Sequence, residues 1–324
     1  MVLLYILPTH PFHIYPTAGY ASYVAESDVS HISVIVTKWF FFLLTAGVLV
    51  PLILIIILEV TRRIIISGRQ SNGDEPNQAA RHQESREIPG LAEGRVQGDY
   101  ITRFDIHQRI QHFVLLTTFI TLAITGIPRG FPDWPVMQWW TNLLGGAANL
   151  RLIHDIAAFT MVADGIYHLL YIGYGILVKH KFPSAMMPNF KDLKDIIQSF
   201  LWIFGVYRDE PQYGHFTYGQ KIDYWAVFWG LPVMGITGII MMFPAFFSNL
   251  VPSEVFAVCA AAHRDEAVLA VGFIIIVHIY YGHLQTIAFP INTVFLTGRM
   301  LKAKYKQWFA REYAEITGEN DKEG

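Results

Sequence analysis

Five stretches of this chain stay apolar for about twenty residues at a time, and that pattern fixes the solvent in which it folds. They cover roughly 36–60, 106–127, 152–178, 222–245 and 266–288. A helix of about 20 residues crosses a hydrocarbon core of about 30 Å. Inside that core the backbone must satisfy its own polar groups, which helices do. Only 15 % of the 324 residues are charged and 53 % are hydrophobic, against about 25 % charge in a soluble domain. A net charge of −2 gives no basis for nucleic-acid binding. Cys259 is the single cysteine, which excludes an internal disulfide, a CxxCH attachment site and a cysteine-held cluster carried by this chain alone.

The charges between the spans orient them. Arg62, Arg63, Arg69, Arg81, Arg86, Arg95 and Arg103 follow the first span; Lys179, Lys181, Lys191, Lys194, Arg208 and Lys221 follow the third; Arg299, Lys302, Lys304, Lys306 and Arg311 follow the fifth. The intervening 128–148 and 246–264 carry only Arg129 and Arg264. The positive-inside rule then sets the N-terminus outside and the C-terminus in the cytoplasm. Residues 1–65 read as an extracytoplasmic arm and a first span that Pro51 can kink, and 66–103 as a polar cytoplasmic linker. The opening of the chain lacks a basic region and carries Pro8 and Pro11, so it reads as mature sequence and not a signal peptide. The stretch 189–205 has the one-sided apolar pattern of a helix lying in the membrane interface. In the tail, 291–324, the basic and aromatic part 299–316 is expected on the membrane or against a neighbour.

Histidines supply the chemistry. His112, His154, His168, His263 and His278 lie in or at the ends of the spans, where an imidazole is costly without a partner. Haem iron, which takes axial histidine, is the partner that best offsets that cost. His154 and His168 are 14 residues apart, within about 40° of one helical face and about 21 Å along the axis; His263 and His278, 15 apart, give about 60° and 22 Å. With alternating spans, His154 and His263 fall at an outer level, and His168, His278 and His112 at an inner one. An outer haem would use His154 and His263; an inner one would use His278 with either His112 or His168. Arg109, Arg151 and Arg264 lie where guanidinium groups can meet haem propionates. His107, His180, His215 and His283 read as solvated, interfacial or pocket-lining residues. Zinc is disfavoured because these ligands form no compact short-spaced cluster.

The segments RIQHF at 109–113, RLIHDIAAF at 151–159, YGQKIDYW at 218–225 and HRDEAVLAVGFIIIVHIYYG with its two histidines resemble the cytochrome b (gamma) subunit of membrane-bound formate dehydrogenase. The wider group includes the cytochrome b subunits of nickel-iron hydrogenases and thiosulfate reductases. The resemblance covers about 104–290. It implies an all-α integral membrane protein, a four-helix dihaem cytochrome b bundle over 104–290 with one additional N-terminal transmembrane helix. It also implies two haem b groups, the outer on His154 and His263 and the inner on His112 and His278, with His168 lining the inner pocket. A menaquinone or ubiquinone pocket is implied around Thr217, Tyr218, Gly219, Gln220 and Lys221, Thr217 standing where the family has asparagine. The spacing of 15 between His263 and His278 is one longer than the family's, which a helix irregularity can absorb. Span one, the arm with His10, His13 and His31, and the linker fall outside the resemblance.

The expected role is electron transfer between an extracytoplasmic iron–sulfur or multihaem cytochrome c subunit, with or without a catalytic subunit, and the quinone pool of a bacterial or archaeal cytoplasmic membrane. Any primary substrate is expected to react on a partner. Two competitors follow from the same residues: a transporter or ion channel using Asp164, Asp223 and Asp265, and an anchor whose haem is merely structural.

Overall fold

A computed structural model describes residues 28–71, 96–284 and 291–317, with the backbone alone at 28–31, 67–71 and 96–97. The reading of the first residues as mature sequence, His10, His13 and most of the 66–103 segment lie outside the described residues. Among those described, five helices are long and apolar enough to cross a membrane: Ile32–Ile66, Ile106–Gly130, Ala147–Leu177, Tyr218–Met242 and Ser253–Leu284. The first lies within α1, Asp28–Ser71. The others are α2 (Ile106–Gly130), α4 (Ala147–Leu177), α6 (Tyr218–Met242) and α8 (Ser253–Phe273) with its π-helical continuation. Shorter helices are α3 (Pro135–Leu143), α5 (Phe190–Ile203), α7 (Pro244–Phe247), α9 (Val294–Thr297), α10 (Lys302–Trp308) and α11 (Ala310–Thr317). This is a multi-pass membrane protein built of helices. Side chains such as Leu170, Leu177, Trp229 and Ile236 are exposed on the spans, an arrangement that water penalises and lipid accepts.

The last span differs most from its sequence pattern. Hydropathy begins it at 266, whereas the helix starts at Ser253, so His263 lies well inside it. Charged Arg264 and Asp265 had masked the start, and their mutual ion pair permits them there. Beyond Phe273 the helix becomes π-helical at Ile274–His278 and again at Tyr280–Leu284. A π turn closes i→i+5 and takes up one residue more than an α turn. The 15-residue interval from His263 to His278 therefore covers the angular travel of 14 α-helical residues.

The chain divides into two compact units. Unit one holds the described part of Met1–Pro51 with Val114–Leu170 and Trp225–Val277. Small residues there bring helices close: a Cβ at Gly272 would stand 2.8 Å from Leu49 Cδ1 of α1, the packing device of helices in lipid.

Unit two holds Leu52–Phe113, Tyr171–Tyr224 and the described part of His278–Gly324. It contains a small antiparallel sheet in the order β1 (Val96–Gln97), β2 (Tyr100–Thr102), β3 (Arg299–Leu301). Ile101 faces Met300, and Gly98–Asp99 makes the two-residue hairpin turn with positive φ at Gly98. Strands this short leave no periodic signal. Gly298, at φ 74°, ends α9 and accepts Arg103 N–H at 2.8 Å.

The tail departs from the surface role expected of it. Ile101, Val294, Met300, Tyr305, Phe309 and Tyr313 form a buried cluster. Arg103, counted above as a flanking charge, is buried too: its guanidinium lies 3.9 Å from the Phe309 ring centroid and donates to the His215 carbonyl at 2.6 Å and to Gln220 Oε1 at 3.2 Å. Nearby, burial raises the Tyr213 hydroxyl above the ordinary phenol range. The 189–205 segment forms α5, opened by a capping box in which Asn189 and Asp192 bond each other's backbone N–H groups. Truncating Phe309 to Ala should cost about 3–5 kcal/mol and lower the melting temperature in detergent, whereas Lys304→Ala, on the exposed face, should stay within about 0.5 kcal/mol of the parent.

Candidate functional site

Unit one brings His154 of α4 and His263 of α8 together, with ring centroids 6.4 Å apart and planes at 62°. Each imidazole is held from a neighbouring helix by the same device. Thr125 of α2 donates its hydroxyl proton to the Thr121 carbonyl at 2.7 Å, while its oxygen lies 2.9 Å from His154 Nδ1. Thr237 of α6 donates to the Val233 carbonyl at 2.6 Å and lies 3.0 Å from His263 Nδ1. A hydroxyl has one proton to give. With that proton on a helix carbonyl, each threonine oxygen accepts from Nδ1–H. The tautomer so fixed leaves the Nε2 lone pair as the free coordinating atom. Glycine follows threonine in both helices, and a Cβ at Gly126 or Gly238 would stand 3.1 or 3.2 Å from Cε1 of His154 or His263. The two arms share the tetrapeptide ITGI, at 124–127 and 236–239. That repeat is a sequence signal that could have pointed to Thr125 and Thr237, which the histidine spacing alone does not reach.

Unit two brings His112 of α2 and His278 together at the same centroid separation, 6.4 Å, with planes at 34°. Of the two inner candidates it is His112 that faces His278; His168 belongs to unit one. His278 Nδ1 lies 3.2 Å from Oδ2 of Asp223 on α6, and Asp223 Oδ1 is buried with no hydrogen-bond partner among the described residues. His112 Nδ1 is buried and equally without one. Phe295 packs 5.3 Å from both His112 and His283, and His283 lies 6.1 Å from His278.

These pairs fit a transition metal held between two imidazoles. Such a metal bonds imidazole nitrogen at about 2.0–2.1 Å and the nitrogen lies about 1.1 Å from its ring centroid, so two ligands on opposite sides have centroids about 6.3 Å apart. Among the described residues no group of three or more His, Cys, Asp or Glu side chains is placed to share a metal.

The residues expected at a quinone pocket stand at the start of α6. Thr217 Oγ1 accepts from Gln220 N–H at 3.1 Å, and Gln220 Oε1 accepts from Thr217 N–H at 3.1 Å, the reciprocal bonds of a capping box. Gly219 packs beside the Thr217 hydroxyl. Buried Lys221 pairs with Asp192 at 2.9 Å and donates to the Met187 carbonyl at 3.1 Å. Lys221 also lines a cleft of about 770 Å³ within unit two, together with Asp192, Lys191, His215 and Glu312. His215 meets Glu312 at 2.6 Å, and Tyr305 donates to the same carboxylate. Of the arginines assigned to propionates, Arg264 pairs with Asp265, Arg151 with Asp155 at 3.6 Å, and Arg109 keeps a buried Nε beside Gly298.

Replacing Thr125 by Val should leave His154 Nδ1–H without its acceptor, cost about 1–3 kcal/mol and lower the melting temperature in detergent; Thr125→Ser should restore it. The sequence has relatives among known proteins. The profile of the family described as prokaryotic cytochrome b561 matches residues 103–300. The formate dehydrogenase cytochrome b556 subunit of Haemophilus influenzae is 27 % identical over 215 residues, 65 % of this chain and 83 % of that subunit. The formate dehydrogenase cytochrome b556(fdo) subunit of Escherichia coli K12 is 24 % identical over 183 residues, 56 % of this chain and 78 % of that subunit. The nitrate-inducible cytochrome b556(Fdn) subunit of the same organism is 23 % identical over 180 residues, 56 % and 76 % of the two chains. The family match takes in more than half of the chain and every histidine of both pairs: this protein belongs to the prokaryotic cytochrome b561 family.

Proposed function

We propose that the chain is the dihaem cytochrome b subunit of a respiratory oxidoreductase, carrying electrons between an extracytoplasmic redox subunit and the membrane quinone pool. The observation that carries this reading is the recurrence of one geometry, two imidazoles with centroids 6.4 Å apart, once in each unit. His154 and His263 hold one b haem and His112 and His278 the other. A b haem held by each pair would supply one-electron transfer through its iron. The chain's own work is to present four imidazoles and to fix the tautomers of His154, His263 and His278 through Thr125, Thr237 and Asp223.

The domain reading follows: a four-helix dihaem domain over 104–290, an N-terminal arm and extra span over 1–65, a linker over 66–103 and a tail over 291–324. The excess of Lys and Arg in alternate connections supports a C-terminus in the cytoplasm. A quinone, menaquinone or ubiquinone, needs two protons for two electrons. The segment Thr217, Gly219, Gln220, Lys221 is its proposed site, supported by the polar cleft that Lys221 lines. The outer partner is an iron–sulfur or multihaem cytochrome c subunit, with any catalytic subunit behind it; the formate dehydrogenase relatives support that kind of assembly. Substrate oxidation or reduction is assigned to that partner, and this chain to electron transfer.

The test is a pyridine haemochrome determination on the protein purified with its native subunits. Two non-covalent b haems per chain are expected, falling to one in His154→Ala and one in His278→Ala, and staying at two in His168→Ala. A folded, assembled preparation without haem would sink the reading and favour ion conduction through the intramembrane acids. The π turn gives a further check. Deleting Ile275, whose side chain is exposed on the span, should convert the π turn to an α turn and keep both haems, because it restores the 14-residue interval; loss of one haem would contradict that register argument.

A further inference from the structure

The two sites differ in what stands behind their ligands. At His154 and His263 the Nδ1 atoms meet neutral hydroxyls, Thr125 and Thr237, at 2.9 and 3.0 Å. At His278 the Nδ1 atom meets a carboxylate, Asp223, at 3.2 Å, and the other oxygen of that carboxylate is buried with no hydrogen-bond partner among the described residues. The opposite member of the pair, His112, has no Nδ1 partner among them. One site is thus backed evenly by two neutral acceptors, and the other unevenly by a single acidic one.

That difference has a chemical consequence. A carboxylate accepting Nδ1–H draws the proton toward itself and leaves more electron density on Nε2, making the imidazole a stronger donor to a metal. A stronger donor, with a negative charge close behind it, favours the ferric over the ferrous ion, and hydrogen bonding behind a ligand is among the levers that set a haem potential. A threonine hydroxyl offers neither full charge nor comparable proton affinity. We infer that Asp223 is a positioning residue that holds down the reduction potential of the haem at the His112–His278 site, while the threonine-backed site escapes this effect. The inference rests on the dihaem reading above.

Its surroundings suit Asp223 to the task. It comes from α6, while His112 comes from α2, and Phe295 of α9 stacks against His112 and His283. The carboxylate sits six residues into α6, a helix begun by the Thr217–Gln220 capping box and tethered at Lys221 to Asp192. These bonds fix the register that aims Asp223 at His278, so its reach does not depend on a loop.

Asp223→Asn tests the inference, because the amide oxygen can still accept Nδ1–H and only the charge and proton affinity are lost. The experiment is an optical redox titration of the complex with its native subunits, the haem being identified by its absence from His278→Ala. In Asp223→Asn the equilibrium constant for reducing that haem should rise at least tenfold, 59 mV for one electron, with the other haem unchanged. The low-spin ferric EPR signal of the same haem should shift with it. Two retained haems whose potentials both stay at the parent values would overturn the role of Asp223. So would an equal shift of both, which a general loosening of the fold would give. If Asp223→Asn loses the haem, Asp223→Glu decides the matter: a haem retained at the parent potential upholds the inference, and one with a raised potential overturns it. Absence of both haems from the parent complex would instead overturn the dihaem reading itself.

Discussion

Everything at the two candidate centres depends on how a buried imidazole disposes of its second nitrogen. In hydrocarbon an unmet N–H is costly, and the carbonyls of a neighbouring helix run along its axis, engaged in its own ladder, so a side-chain acceptor is the natural partner for an imidazole between helices. Threonine solves this locally. Its hydroxyl proton returns to the carbonyl four residues back, and its oxygen, now committed as an acceptor, faces the neighbouring helix. One residue type thereby satisfies itself, satisfies a histidine and decides which imidazole nitrogen keeps a lone pair. The following glycine is part of the same unit, because a Cβ there would press on the imidazole that the threonine holds.

The π turns before and after His278 belong to the same logic. Under the proposed dihaem reading the helix would carry two ligands more than three turns apart, and an interval of 15 residues would keep them near one face less well than one of 14. The π turn at Ile274–His278 takes up the extra residue locally.

The spans were legible because an apolar run of bilayer length is stable as little else than a helix in lipid, and the histidines were legible because they stood out within those runs. The groups behind them were not. Thr125 and His154 are 29 residues apart, Thr237 and His263 are 26, and Asp223 and His278 are 55; no local periodicity connects residues on different helices. Other features were visible and only partly used. Thr217 and Gln220 have the T-x-x-Q spacing of a capping box, a structural role they fill alongside the one the family resemblance implies. Tyr305, Phe309 and Tyr313 recur every four residues, but the basic residues around them, Lys302, Lys304, Lys306 and Arg311, suggested a membrane surface; in the structure the three aromatic rings cluster with Ile101. Arg103 shows the limit of counting charge, since a guanidinium stacked on Phe309 is no longer a solvated flank.

The first span gains most from the structure. It lies outside the family match. Its second half carries Glu59, 5 % exposed, which binds Arg63 at 2.9 Å; Arg63 also binds Glu210 and stacks over Trp202, and Tyr281 donates to Glu59 at 3.3 Å. Burying such a pair is costly, and removing one partner leaves a buried charge worth about 3–5 kcal/mol of destabilisation. A helix merely resting in lipid against its neighbours would have no use for that arrangement, since apolar side chains would serve it better. Tyr281 stands three residues beyond His278, so the network reaches the same turn of helix as His278. The part of the added span beyond Pro51 is therefore built into the unit that holds His112, His278 and Asp223, and its ionic contacts constrain the segment that carries His278.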